Sequence, residues 1–139
     1  MNDARRAPQS REFGRSSAPL HILIVEDEML PAMLLEAVVV DAGHDARKAA
    51  RLPKAMELAR AEHFDAAVLD VNLAGEPVFP LAALLRERGV PFLFASGYGE
   101  AGVPREYDDC MVLQKPYSVG DFNNALRTLL QDSGEPARP

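Results

Sequence analysis

The chain has 139 residues, which suits one domain, and at 47% hydrophobic it can build a single core. It has no apolar run long enough to span a bilayer and no apolar signal stretch in MNDARRAPQSREF, and its lone Cys110 excludes an internal disulfide or cysteine metal site, so a cytoplasmic protein is expected. The net charge of −6 is uneven: residues 1–19 hold four arginines against Asp3 and Glu12, which leaves −8 for the rest, an acidic body that argues against direct nucleic-acid contact.

Residues 1–19 are basic and contain Ser and Pro, so they read as a disordered tail. Residues 20–132 read as the folded domain and 133–139 (SGEPARP) as a second tail. His21–Val25 (HILIV) is a continuous apolar run of strand type. Met29–Ala42 is helix-like, with Pro31 in the first turn, where its missing N–H costs little, and Gly43 as the stop. His44–Ala50 has few apolar residues and fits an edge strand. Leu52, Ala55, Met56 and Ala59 recur at helical spacing. Ala66–Leu69 is a buried strand, Leu81, Leu84 and Leu85 mark a third helix closed by Gly89, and Pro91–Ala95 is a fourth strand. Met111–Leu113 is a fifth strand, and Phe122, Leu126, Leu129 and Leu130 form the inner face of a last helix.

Strands and helices alternate, which argues for an α/β fold, a doubly wound five-stranded parallel sheet with helices on both faces. Such folds bind ligands at the carboxyl ends of their strands. The first strand ends in Glu26-Asp27-Glu28, the third in Asp70, the fourth in Ser96 and the fifth in Gln114-Lys115-Pro116. Clustered carboxylates stay ionised together only with a cation among them, and hard oxygen ligands with open positions suit Mg²⁺. An aspartate beside that cation can act as a nucleophile toward phosphorus, while a lysine and a hydroxyl neutralise the phosphoryl oxygens. Taken singly these residues have structural uses: an Asp can cap a turn, a Lys can be a solvated charge, and Ser96 can cap a helix. Four strand ends carrying complementary groups favour the functional reading. Glu28 is placed instead at the start of the first helix, where negative charge suits the dipole.

The motifs ILIVEDE, VLDVNL, FAS and QKP, in that order from about Leu20 to Asp132, resemble a response-regulator receiver domain of two-component signalling. The resemblance implies a flavodoxin-like receiver fold in which Asp70 is the phosphoacceptor. It further implies that Asp27 and Asp70 bind Mg²⁺, with Glu26 acting through metal-bound water and Asn72 supplying a backbone carbonyl. Ser96 then bonds a phosphoryl oxygen, Lys115 is the family's lysine, and the bond from Lys115 to Pro116 is expected to be cis. The implied partner is a sensor histidine kinase or a phosphotransfer protein. No nucleic acid or membrane takes part, and there is no enzymatic turnover beyond the protein's own phosphorylation and dephosphorylation. After Asp132 seven residues remain, so output through a partner protein is expected.

Two features depart from the usual pattern. Val112 stands where most receivers carry a Tyr or Phe, three before the lysine, so the aromatic switch is missing. The stretch between Ser96 and Lys115 has three glycines, a proline and no apolar helical face, so a fourth helix there should be short or irregular. Both fit the resemblance of PFLFASGYG to the PFxFATGYG signature of a subset of single-domain receivers, which is associated with kinases of the HWE type. Tyr98 is either a mobile aromatic or a loop anchor, and Cys110 reads as a packing thiol. Ala74, four after Asp70, stands where relatives tune access of the hydrolytic water. A phosphorylation-independent interaction module and an aspartate-nucleophile phosphohydrolase are the alternatives. Asn72 speaks against the second, because it stands where those enzymes place a second acid.

Overall fold

The computed structural model describes residues 18–133, so most of the first tail and nearly all of the second lie outside the described residues. Five parallel strands form the sheet: β1 (His21–Val25), β2 (Asp45–Ala49), β3 (Ala66–Asp70), β6 (Phe92–Ser96) and β7 (Val112–Gln114). Their order is β2-β1-β3-β6-β7. The winding reverses between β1 and β3, and that junction is where a ligand site is expected.

The central strands β1, β3 and β6 are apolar on both sides, and their alternation divides the core. Leu23, Val25, Ala67, Leu69, Phe92 and Phe94 face α2 (Leu52–Ala61) and α3 (Phe79–Glu87). Ile22, Ile24, Ala66, Val68 and Leu93 face α1 (Met29–Asp41) and α4 (Val119–Ser133). This is the pattern of a parallel sheet covered on both faces. β2 is the edge strand, where Arg47 pairs with Glu62 at 3.0 Å and Lys48 with Glu36 at 2.7 Å. Such charges blunt an edge against further pairing. α4 starts with a reciprocal cap: the Asp121 N–H donates to Ser118 Oγ at 2.9 Å, and the Ser118 N–H donates to the Asp121 carboxylate at 3.3 Å.

The sequence anticipates five strands, and the described residues hold seven. The extra pair, β4 (Asn72–Leu73) and β5 (Glu76–Pro77), is a small antiparallel hairpin directly after β3. Its two-residue loop has φ +54° at Ala74 and +90° at Gly75, the primed-turn geometry that suits strand twist. The Asn72 side chain closes it by accepting the Gly75 N–H at 2.9 Å. Two-residue strands show no periodicity, and Ala is a poor signal for a left-handed turn position, so the hairpin escapes pattern reading.

No fourth α-helix forms between β6 and β7. Two 3₁₀ turns, Gly99–Gly102 and Arg105–Tyr107, take its place. The second turn is anchored by Tyr107, which is buried among Phe79, Phe92 and Phe94. Arg86 of α3 fastens it from outside. Its guanidinium lies 4.8 Å from the Tyr107 ring and donates to the Glu106 carbonyl, the Asp109 carboxylate and Cys110 Sγ, each at 3.1 Å.

Candidate functional site

At the carboxyl end of β1, Glu26 is 3% exposed, and its main-chain N–H donates to the Ala49 carbonyl. Its side chain turns back to accept the Glu28 N–H at 3.0 Å, beside the start of α1, for which Glu28 is the N-cap. Asp27 is half-buried beside it. Asp70, the last residue of β3, is 6% exposed. The register that pairs Val25 with Leu69 brings these residues side by side. Carboxylate oxygens of Glu26, Asp27 and Asp70 lie within 4.8 Å of one another.

Lys115 enters from beyond β7. Its Nζ is 3.2 Å from Glu26 Oε1 and 3.3 Å from Asp70 Oδ1. The Lys115–Pro116 bond is cis, and the Lys115 N–H donates to the Ser96 carbonyl at 2.9 Å. The lysine is thus tied to the end of β6 through the backbone and to the acids through its side chain.

The charges do not balance. Burial first, then the Glu26 carboxylate, push the Asp70 carboxyl up from 3.8 to about 7. Lys115 pulls it down, and a hydrogen bond with Asp27 adds to the rise. For Lys115 burial works downward, but Asp70 and Glu26 outweigh it and hold the ammonium above its ordinary range. One lysine among three carboxylates leaves negative charge uncompensated, and a divalent cation there would supply what is missing. All three acids present oxygen, the donor that Mg²⁺ prefers. The residues therefore fit such an ion.

Ser96 ends β6 and is 2% exposed. Its Oγ accepts the Tyr98 N–H at 3.0 Å, so in this conformation the hydroxyl is engaged by the following loop. Asn72 lies in the hairpin just beyond Asp70, with its side chain used by the turn. The structure thus brings Glu26, Asp27, Asp70 and Lys115 together, with Ser96 buried one residue beyond Ala95, the partner of Asp70 in the sheet, and Asn72 two residues after Asp70. Tyr98 is 81% exposed, so it is no loop anchor. Burial and then Asp109 push the Cys110 thiol up, away from the reactive thiolate and in keeping with a packing role.

Sequence reasoning misses an apolar groove of about 570 Å³ beside Lys115, bordered by Leu30, Pro31 and Leu34 of α1 and by Pro116 and Tyr117. Met29, Leu30, Met33 and Leu34 are all exposed on the same helix. The signal is visible in MLPAMLLEAVVV, which is apolar on every side although only one side can face the sheet.

No profile of a known protein family matches the chain. The transcriptional regulatory protein TcrA of Mycobacterium tuberculosis is 33% identical over 143 aligned positions, which cover 98% of this chain and 55% of TcrA. The chain therefore spans about half the length of the curated relatives it matches. The solution structure of SdrG from Sphingomonas melonis Fr1 superposes with a TM-score of 0.70 at 37% identity, covering 84% of this chain and 99% of SdrG. The receiver domain of the PhyR response regulator from Erythrobacter litoralis superposes at 0.75 with 25% identity, covering 88% and 98%. The chain belongs to the response-regulator receiver family. A CheY-like receiver from Methylobacillus flagellatus, at 22% identity and a TM-score of 0.70, shares the fold. This receiver has a five-stranded parallel sheet in which two 3₁₀ turns, in place of an α-helix, connect β6 to β7.

Proposed function

We propose that this receiver accepts a phosphoryl group on Asp70 from a phosphohistidine of a histidine kinase or phosphotransfer protein, and signals through protein–protein contacts. The observation that carries the reading is the convergence of Asp70, Glu26, Asp27 and Lys115 at the switch point of the sheet. The Asp70 carboxylate oxygen attacks phosphorus, the P–N bond to the imidazole breaks, and its electron pair stays on the ring nitrogen, which takes a proton. An acyl phosphate on Asp70 is the product. Lys115 Nζ, 3.3 Å from Asp70, is placed to offset charge on the phosphoryl oxygens. Ser96 donates its hydroxyl to another of them. Mg²⁺ would be held by Glu26, Asp27, Asp70 and the Asn72 carbonyl, with Glu26 acting through bound water. When bound, the ion neutralises the carboxylates and draws charge from the phosphoryl oxygens.

A donor protein has to bring its phosphohistidine to Asp70, so the surface beside the site must receive it. The groove between α1 and Pro116-Tyr117 adjoins Lys115 and offers apolar contact of the kind found at the centre of interfaces. The HWE-type kinases associated with the PFxFATGYG signature are the donors to try first. No helix among the described residues is long and apolar enough to cross a membrane, and we place the reaction in the cytoplasm.

The test is phosphotransfer from purified kinases in the presence of Mg²⁺, read by intact mass and by lability to hydroxylamine. Wild type should gain one labile phosphoryl group, and Asp70→Asn should gain none. Label that persists on Asp70→Asn would remove the acceptor assignment.

A further inference from the structure

The loop after Ser96 sits closer to the site than its glycine content alone requires. The turn Gly99–Gly102 lies across the ends of both β6 and β7. A Cβ built on Gly102 would stand 2.6 Å from Ser96 Oγ, and one on Gly99 would stand 3.2 Å from Gln114 Oε1. Gln114 is paired with Ser96 in the sheet and directly precedes Lys115. Gly99 has φ +57°, a left-handed conformation that favours glycine as well. Gly102 is different. Its φ lies outside the left-handed region, and an alanine there would add only a methyl group, aimed at the Ser96 hydroxyl.

Real Cβ atoms do not approach an oxygen to 2.6 Å, so something has to give. Ser96 Oγ is the end of a one-bond side chain and can leave by rotating about χ1. In doing so it abandons the hydrogen bond from the Tyr98 N–H. The main chain of Ser96 is held meanwhile by its carbonyl, which accepts the Lys115 N–H, so the rotation need not disturb the strand.

We propose that Gly102 is a positioning residue for Ser96: its missing side chain gives the hydroxyl room to rest on the Tyr98 N–H, and so sets how readily that hydroxyl leaves for the phosphoryl group that the proposed function places on Asp70. This rests on the assignment of Asp70 as acceptor.

The test uses the full chain with Mg²⁺ and beryllium fluoride as the phosphoryl mimic. In wild type, scalar couplings should report one Ser96 χ1 rotamer in the free protein and another in the loaded one. In Gly102→Ala the free protein should already show the second rotamer. Its half-saturating beryllium fluoride concentration should fall about fivefold, the equivalent of one net hydrogen bond lost from the resting state. The amide shifts that Gly102→Ala causes at Tyr98 should vanish in a Ser96→Ala background, where no Oγ remains to be displaced. If wild type loads but Ser96 χ1 stays put, or Gly102→Ala loads no more readily than wild type, the proposal is overturned. If Gly102→Ala alone does not fold, Gly102→Ala combined with Ser96→Ala should fold, because no Oγ remains to be displaced, and a double variant that also fails to fold overturns the proposal. If wild type gives no response at all, the acceptor reading itself fails, and the failure is seen at the Asp70 amide rather than at Ser96.

Discussion

Replacing Asp70 by Asn should stabilise the metal-free protein. The folded chain holds the Asp70 carboxyl near 7 against an ordinary 3.8, because it is buried and faces Glu26. From about pH 4 to about pH 7 the folded state therefore keeps a proton that the unfolded state has released, and stability falls as pH rises through that window. The full shift sets a ceiling of about 4 kcal/mol at pH 7, at about 1.4 kcal/mol for each pH unit. Relaxation and residual water in an open site reduce this, and the buried amide of Asn has its own cost, so a gain of ~1–3 kcal/mol is expected. Lys115 keeps Glu26 as a partner at 3.2 Å, so the substitution does not orphan the lysine. Urea unfolding in EDTA between pH 5 and 8 measures the difference. The gap between Asp70→Asn and wild type should be largest at and above pH 7 and should narrow toward pH 5. Millimolar Mg²⁺ should raise wild type more than the variant, because the proposed ion site includes the Asp70 carboxylate and exists only in the folded state. A variant no more stable than wild type at pH 7, or a gap that widens toward pH 5, would refute the claim that Asp70 is held under electrostatic load.

Other substitutions test the frame around the site. Ala74→Gly relieves a non-glycine residue at φ +54° in the hairpin loop and should change stability by less than about 1 kcal/mol in the favourable direction, measured by urea midpoint. Ser118→Ala removes the reciprocal cap of α4 and should cost about 1 kcal/mol by the same measurement. Tyr107→Ala empties a buried position in the aromatic cluster and should cost ~3 kcal/mol, while Arg86→Ala should mainly speed hydrogen exchange at Tyr107, Asp108 and Cys110.

What could be read in the sequence follows from what is local. β1, β3 and β6 are buried on both faces, so HILIV, AAVL and PFLFA stand out as unbroken apolar runs. Asp70 stands out because it directly follows AAVL, Lys115 stands two residues beyond the shorter run MVL, and a parallel sheet brings the carboxyl ends of its strands together. The staple of Arg86 on residues 106–110 was not legible, since its partners are more than 19 residues away and carry no pattern of their own. Tyr107 gave no periodic signal either, because a single 3₁₀ turn has no face to repeat. The contact between Gly102 and Ser96 could not be seen at all: a glycine announces flexibility in a sequence and close approach only in three dimensions.

Charge at the strand ends does not by itself mark the working edge of the sheet, because both edges carry it. At the amino end, Glu62 meets His21 Nε2 at 2.9 Å and Arg47 at 3.0 Å, while the Asp65 carboxylate accepts the His21 N–H at 2.8 Å. The hydrogen bond from His21 leads the effects that lower the Glu62 carboxyl below its usual range. That edge is compensated by close partners, and Glu62 is at ease in its charged form. At the carboxyl end the sign is reversed: three acids share one lysine, and Asp70 is pushed toward protonation. A fold selected only for stability would have paired or removed those acids, as it did at the opposite edge. The difference between the two edges lies in compensation rather than in composition. An edge left short of positive charge would gain free energy on taking up a cation, and that imbalance around Asp70 is the physical ground for proposing it as the phosphoryl acceptor.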